Sequence, residues 1–355
     1  MGTIRLLLAL AVVFTHSYGY LFTGGKLAVQ LFYIISGYLM SLILLNNKTY
    51  SNLYKFYSNR LLRLFPVYWG VAILTFVYFL VNYIIGGEDF FFQTYFDVGF
   101  LAGFSLFLSN ILIIGQDWLM FTGVNEGVFQ FVTDFRESEI LVYNGLLVPQ
   151  AWTLGIELTF YAICPFILKK KNIWISLLIL SVLVRIYLLH IGLGNKDPFS
   201  YRFFPSELSL FLFGAFSHQY LLPLYNKYSL LENKLIINAT TYLIILFIIS
   251  FSFIPFNRTL LSLILISIMT LSLPIISKFQ RSSKLDHWIS KFSYPVYISH
   301  MLIIYLMSDI FNYFEIVKSY NYYFCVIVGT LFVSYLLDIF ISEKVEKIRS
   351  KIKIK

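Results

Sequence analysis

The sequence predicts an all-α integral membrane protein with about ten transmembrane helices and both termini in the cytoplasm. Three observations carry this. The 355 residues are 59% hydrophobic and only 13% charged, whereas a soluble domain carries about a quarter charged residues. The apolar residues fall into runs of about 17–20, long enough to cross a hydrocarbon core. Lysine and arginine concentrate in alternate connecting segments, the positive-inside pattern.

The runs lie at 3–20, 27–45, 65–85, 150–168, 173–192, 206–222, 237–254, 260–277, 292–310 and 322–341. With the N-terminus inside, the basic stretches 48–63, 169–171, 227–234, 278–291 and 344–355 share the cytoplasmic side. The outer segments hold scattered cations: Lys26, Arg136, Lys196, Arg202, Arg258 and Lys318. The net charge of +9 is therefore a topology signal, and no nucleic-acid partner is expected. Residues 98–115 are apolar enough to span, but a crossing there would turn the later basic clusters outward. They are read as a re-entrant or interfacial helix, followed by an acidic outer loop over 116–149. One transmembrane domain covers 1–345, and 346–355 is a short basic cytoplasmic tail set against anionic lipid headgroups. Cys164 and Cys325 sit inside apolar runs, where a free thiol behaves as a small hydrophobe. The first run continues into a second with no small-residue cleavage site between them.

Ionisable residues inside spans are costly and point to function. Arg5 and His16 lie on one face of the first helix, about 16 Å apart along its axis. Two readings fit His16: a catalytic group in a polar cavity, or an interfacial ring reaching water. Glu157 is placed about five residues inside the outer end of its span, at a depth similar to His16, with Tyr161 one turn further on. It is either part of a site or one half of a helix-pinning ion pair, for instance with Arg185. Arg60 and Arg63 precede a helix whose start is marked by Pro66. They either anchor the topology or clamp phosphate oxygens, which match the guanidinium fork. Ser293, Tyr297 and His300 form one polar stripe, serving either a cavity or interhelical hydrogen bonding. With no zinc or phosphate-loop motif, any site is built from His, Glu, Arg and Tyr. That suits proton transfer at a hydroxyl without a metal.

Five segments, in order, resemble the acyltransferase-3 family of membrane acyltransferases. They are Arg5, ten residues, His16; AVQLFYIISGYL, which contains Ser36 and has Ala28 where the family has glycine; NRLLRLFPVYW; WTLGIELTFYAICP, with Trp152, Glu157 and Tyr161 and with Thr153 where the family has serine; and SYPVYISH, with Tyr297 and His300. The resemblance runs from residue 4 to about 341.

The resemblance implies an O-acyltransferase of the cell (inner or plasma) membrane. The donor would be an acyl-coenzyme A, usually acetyl-CoA, bound as a substrate with no permanent cofactor. The acceptor would be a hydroxyl of a surface carbohydrate such as O-antigen, capsule or a lipid-linked precursor. Arg5, Arg60 and Arg63 would hold the donor phosphates. His16 would act as general base or acyl carrier with Glu157 orienting it, while Ser36, Trp152, Tyr161, Tyr297 and His300 would line the cavity. The chain ends soon after its last span, so the resemblance implies direct transfer to the acceptor or a hand-off to a separate extracytoplasmic acyltransferase. The alternative is a non-enzymatic transporter of a sugar or acyl donor. Against it, the sequence has no internal repeat with paired broken helices.

Overall fold

The computed structural model describes residues 1–87 and 89–354. Helices follow in order: α1 (Gly2–Ser17), α2 (Gly24–Asn46), α3 (Leu53–Gly86), α4 (Phe90–Asp97), α5 (Phe100–Leu112) and α6 (Gln116–Leu119). A hairpin of β1 (Thr122–Asn125) and β2 (Val128–Phe131) comes next, antiparallel with Thr122 opposite Phe131. Then come α7 (Trp152–Ile167), α8 (Lys171–His190), α9 (Phe204–Phe216), α10 (Leu222–Lys227), α11 (Lys234–Ser250) and α12 (Arg258–Ser282). The chain closes with α13 (Lys284–Ile289), α14 (Ser293–Tyr313), α15 (Tyr320–Leu337) and α16 (Glu343–Ile354).

This is an all-α integral membrane protein. Among the described residues, seven helices are long and apolar enough to cross a bilayer: α2, α3, α8, α11, α12, α14 and the run from Tyr320 to Ile352. α1 and α7 have only 16 residues each, about 24 Å of helix. Lipid rather than water suits the outer surface. Ile84 and Ile85 of α3 are 71% and 82% exposed, a face that would drive aggregation in water.

Asparagine side chains start three of the long helices. Asn52 accepts from the Lys55 N–H, Asn233 from Leu235 and Ile236, and Asn257 from Thr259 and Leu260, each satisfying amide donors that the helix leaves free. Asn52 also corrects the sequence reading of α3. The helix begins at Leu53 and runs through Pro66, so Arg60 and Arg63 ride on the helix rather than ahead of it.

α5 has 13 residues, about 20 Å of helix, less than the roughly 30 Å of a hydrocarbon core. Its C-terminal end meets the middle of α3. The Tyr68 hydroxyl donates to the Asn110 carbonyl at 2.7 Å and Trp69 Nε1 to Ile111 at 3.0 Å.

α2 and α9 cross closely because two glycines remove the side chains that would part them. A Cβ on Gly37 would lie 1.8 Å from the Phe211 carbonyl oxygen, and one on Gly214 would lie 2.0 Å from that of Ile34. Such small-residue contacts are how membrane helices approach without a hydrophobic driving force. Phe211 then stacks on Tyr33 of α2 and Phe160 of α7, at 4.7 and 4.3 Å, tying three helices together around the site.

α1 is held at its start by Asp286 of α13. This carboxylate accepts from the Met1 ammonium (2.9 Å), the Gly2 and Thr3 amides (both 2.8 Å) and the Thr3 hydroxyl (2.7 Å). Burial pushes the Asp286 carboxyl up, but these donors outweigh it and hold it below the usual aspartate value.

Candidate active site

Three cavities lie in succession along α1. The first, about 710 Å³, opens at the end of the bundle rich in Lys and Arg, and Arg5, Arg63, Lys291, Lys347 and Arg349 line it. The second is a neck of about 60 Å³ bounded by Arg5, Ser36, Arg63, Glu157, Tyr161 and Tyr297. The third, about 320 Å³, lies at the far end beside His16, Trp152, Tyr201, Arg202 and Tyr297. Arg5 and Arg63 belong to both the first cavity and the neck, and Tyr297 belongs to both the neck and the far cavity. The helix that carries Arg5 near one end and His16 near the other thus runs along the whole passage.

At the basic end, Arg5 and Arg63 are exposed to the cavity in part, and no described residue accepts a hydrogen bond from either. Arg5 Nε is buried without a partner. Arg60 lies apart from the cavity walls. It is 3% exposed and its Nη2 donates to Asn59 Oδ1 at 2.7 Å, the same oxygen that takes Arg349 Nη2 at 3.2 Å. Of the expected trio, two arginines face the passage and the third stands behind them.

In the neck, Glu157 Oε1 accepts from the Ser36 hydroxyl at 2.5 Å and from the Tyr161 hydroxyl. No described residue bonds its second oxygen. Glu157 therefore does not stand behind the His16 imidazole, as the sequence reading had it. The reason lies in the helix ends. His16 is in the last turn of α1, while Glu157 sits five residues inside α7, about 7.5 Å down that helix. Nor does Glu157 pair with Arg185, which bonds Glu207 of α9 at 2.7 Å.

At the far end, the His16 side chain is accessible to the cavity. Its ring neighbour is His300, at 5.3 Å between centroids. His300 is fully buried, and its Nδ1 lies 2.7 Å from the Tyr297 carbonyl oxygen. A carbonyl can only accept, so Nδ1 carries a proton and a neutral His300 presents a lone pair on Nε2. That Nε2 is buried with no hydrogen-bond partner among the described residues. The Tyr297 hydroxyl is fixed 2.8 Å from Thr153 Oγ1 and 3.1 Å from the Gln150 carbonyl, so the Thr153 hydroxyl is used in the wall. Trp152 is covered by Arg202, whose guanidinium carbon lies 4.2 Å from the ring centroid. Arg202 is in turn gripped by both oxygens of Asp197, at 2.6 and 3.1 Å.

Sequence reasoning did not single out Asn59, Gln150, Arg202, Asp286 or Arg349. Among the described residues no group of three or more His, Cys, Asp or Glu side chains could hold a metal ion. The passage therefore offers cations without acceptors at one end, a hydroxyl-bonded carboxylate at its centre, and an imidazole pair in an aromatic chamber at the other.

The family model described as "Acyltransferase domain" (Acyl_transf_3) matches residues 2–339. An uncharacterized protein of Aquifex aeolicus (strain VF5) is 27% identical over 207 residues, covering 57% of this chain and 89% of the relative. No solved structure matches.

Proposed function

The chain belongs to the acyltransferase-3 family and is a multi-pass membrane acyltransferase, and from that premise we propose that it moves an acetyl group from acetyl-coenzyme A to a hydroxyl of a cell-surface carbohydrate. What supports this reading most is the run of three cavities, with unpaired arginines at one end and an accessible histidine at the other. Acyl-coenzyme A has a matching form: a bulky phosphorylated nucleotide, a slender arm and a thioester at its tip. The large basic cavity suits the head, the neck suits the arm, and the far chamber suits the reaction.

On this reading the basic end faces the cytoplasm of a plasma or inner-membrane protein, where positive loops are retained and acetyl-CoA is available. Arg5 and Arg63 hold phosphate oxygens through charge-assisted hydrogen bonds. Glu157, kept in place by Ser36 and Tyr161, presents its second oxygen to an amide N–H of the arm. The acceptor sugar enters from the opposite side and lies against the aromatic wall of Trp152, Tyr201 and Tyr297, where ring faces suit the C–H surface of a sugar.

The chemistry is one base-assisted acyl transfer. His16 removes the proton of the acceptor hydroxyl, and the oxygen attacks the thioester carbonyl carbon. The new C–O bond forms as the C–S bond breaks. The leaving thiolate takes the proton from the His16 imidazolium, so the products are the ester and free coenzyme A. His300 limits the orientations of the His16 ring by packing against it.

The test is mass spectrometry of surface glycans from cells with and without the gene, paired with acetyl-CoA turnover by the purified protein in detergent. Loss of one acetyl ester in the deletion, restored by the gene, is the expected result. Identical glycans together with no acetyl-CoA turnover would refute the assignment.

A further inference from the structure

The C-terminal segment reads in the sequence as a basic tail lying on lipid. In the structure it runs on from α15 through a π-helical turn at Asp338–Ser342 into α16, which packs against α3. Glu346, Lys347, Arg349 and Ser350 of α16 line the basic cavity together with Arg63.

The donor groups around this mouth are out of balance. Buried Arg5 Nε, Arg60 Nε, Asn59 Nδ2 and Arg349 Nε have no acceptor among the described residues. An unpaired buried donor is costly; of these four residues Arg5 and Arg349 line the cavity itself, while Asn59 and Arg60 stand behind its wall, so donors exceed acceptors at this end of the bundle. The acceptors that are present do not fill the need. Asn59 Oδ1 is shared by Arg60 and Arg349, Glu346 pairs with Arg349, and Glu343 lies 3.7 Å from Lys291. An anion with several oxygens, able to accept from more than one fork at once, fits this deficit.

We propose that α16 is a wall of the donor site and that Arg349 is a phosphate ligand, acting across the cavity from Arg63. This rests on the donor reading above and extends it to the end of the chain. Arg63 on α3 and Arg349 on α16 grip a polyphosphate from two helices, and the bond from Arg349 to Asn59 sets α16 against α3 before the ligand arrives. The segment is then part of the active protein rather than an appendage on the membrane surface.

The experiment is calorimetry on the full chain in detergent with three probes: acetyl-CoA, inorganic pyrophosphate, and S-acetylpantetheine, which has no phosphate. Arg349→Ala is expected to weaken acetyl-CoA and pyrophosphate by about tenfold and to leave S-acetylpantetheine at its wild-type affinity. Arg349→Lys should recover part of the loss, because lysine restores the charge but not the fork. Lys351→Ala, a change at an exposed position on the same helix, should bind like wild type. Unchanged acetyl-CoA affinity in Arg349→Ala overturns the proposal, and is also the result expected if Arg349 serves a lipid headgroup. Equal losses for all three probes, with a lowered melting temperature, overturn it in favour of a purely structural anchor. If the wild type takes pyrophosphate through Arg349 but not acetyl-CoA, the phosphate site stands and the coenzyme A reading falls. A wild type that takes neither phosphate probe overturns the site itself.

Discussion

Both mouths of the passage carry arginine, and they hold it in opposite ways. At the far end Arg202 is saturated: Asp197 takes its fork and Trp152 lies under its plane, while Arg136 shares the same carboxylate. At the basic end Arg5 and Arg63 face the cavity with no acceptor among the described residues, while Arg349 pairs with Glu346 and shares the Asn59 amide oxygen with Arg60, its Nε alone left without an acceptor among them. A saturated guanidinium is framework, and here it braces an aromatic wall. An unsaturated one in a cavity is ready for an anion. The same residue type therefore braces a chamber at one end and, on the proposed reading, binds the donor at the other.

The sharpest break of this comparison comes from His16. If the far chamber does the chemistry and the basic mouth only binds, His16→Ala should lower acyl transfer by about 10²–10⁴-fold and leave acetyl-CoA affinity unchanged. Glycan mass spectrometry and calorimetry on the same variant check this, and transfer near the wild-type rate would remove His16 from the mechanism. Arg63→Ala should show the reverse pattern. Losing one charge-assisted contact weakens acetyl-CoA binding by about tenfold, with less change in turnover at saturating donor. Arg63→Lys should restore binding only in part. If lysine restores it completely, Arg63 is a topology signal alone.

Two smaller effects separate binding from support. Arg60 stands behind the passage wall, meeting it through Met40 and, by way of Asn59, through Arg349, so Arg60→Ala should cost less affinity than Arg63→Ala. It should cost more thermal stability, about 1 kcal/mol or more, because it removes a donor from the buried Asn59 oxygen. Calorimetry and melting curves on both variants decide the order. Asp286 sets the position of α1 and with it both Arg5 and His16. Its carboxyl lies below the usual value of 3.8, so its contribution is fully present above about pH 4 and is lost as pH falls through the lower folded value. Asp286→Asn should lower the melting temperature at pH 7 and make the curve between pH 4 and pH 3 flatter than that of the wild type.

The membrane architecture was legible because hydropathy and charge asymmetry act over whole segments. The family was legible from five short motifs, and the transporter alternative gives way to it. Depth within a helix was not legible. It depends on where each helix starts and stops: α3 starts after Asn52 rather than at Pro66, and α1 stops one residue beyond His16. Glu157 lies five residues inside α7, as the sequence reading placed it, but His16 is in the last turn of α1, so the two are not level and Glu157 belongs to the neck with Ser36 and Tyr161. Contacts between distant segments were also hidden. Nothing in the local pattern links Asp286 to the first three residues, Arg349 to Asn59, or Arg185 to Glu207, because each pair is made by packing across more than twenty positions of chain.

The narrow middle of the passage has a consequence for the cell that owns the membrane. A protein hollowed from both faces risks becoming a leak, and a membrane potential supplies about 2.3 kcal/mol per elementary charge for every 100 mV to drive ions through one. Ser36, Glu157 and Tyr161 close the route to about 60 Å³, with the guanidinium groups of Arg5 and Arg63 on the same wall. A hydrated cation meets a tight fit there and two guanidinium groups against one carboxylate, so groups placed to take an anionic donor head, as proposed above, would also insulate the bilayer.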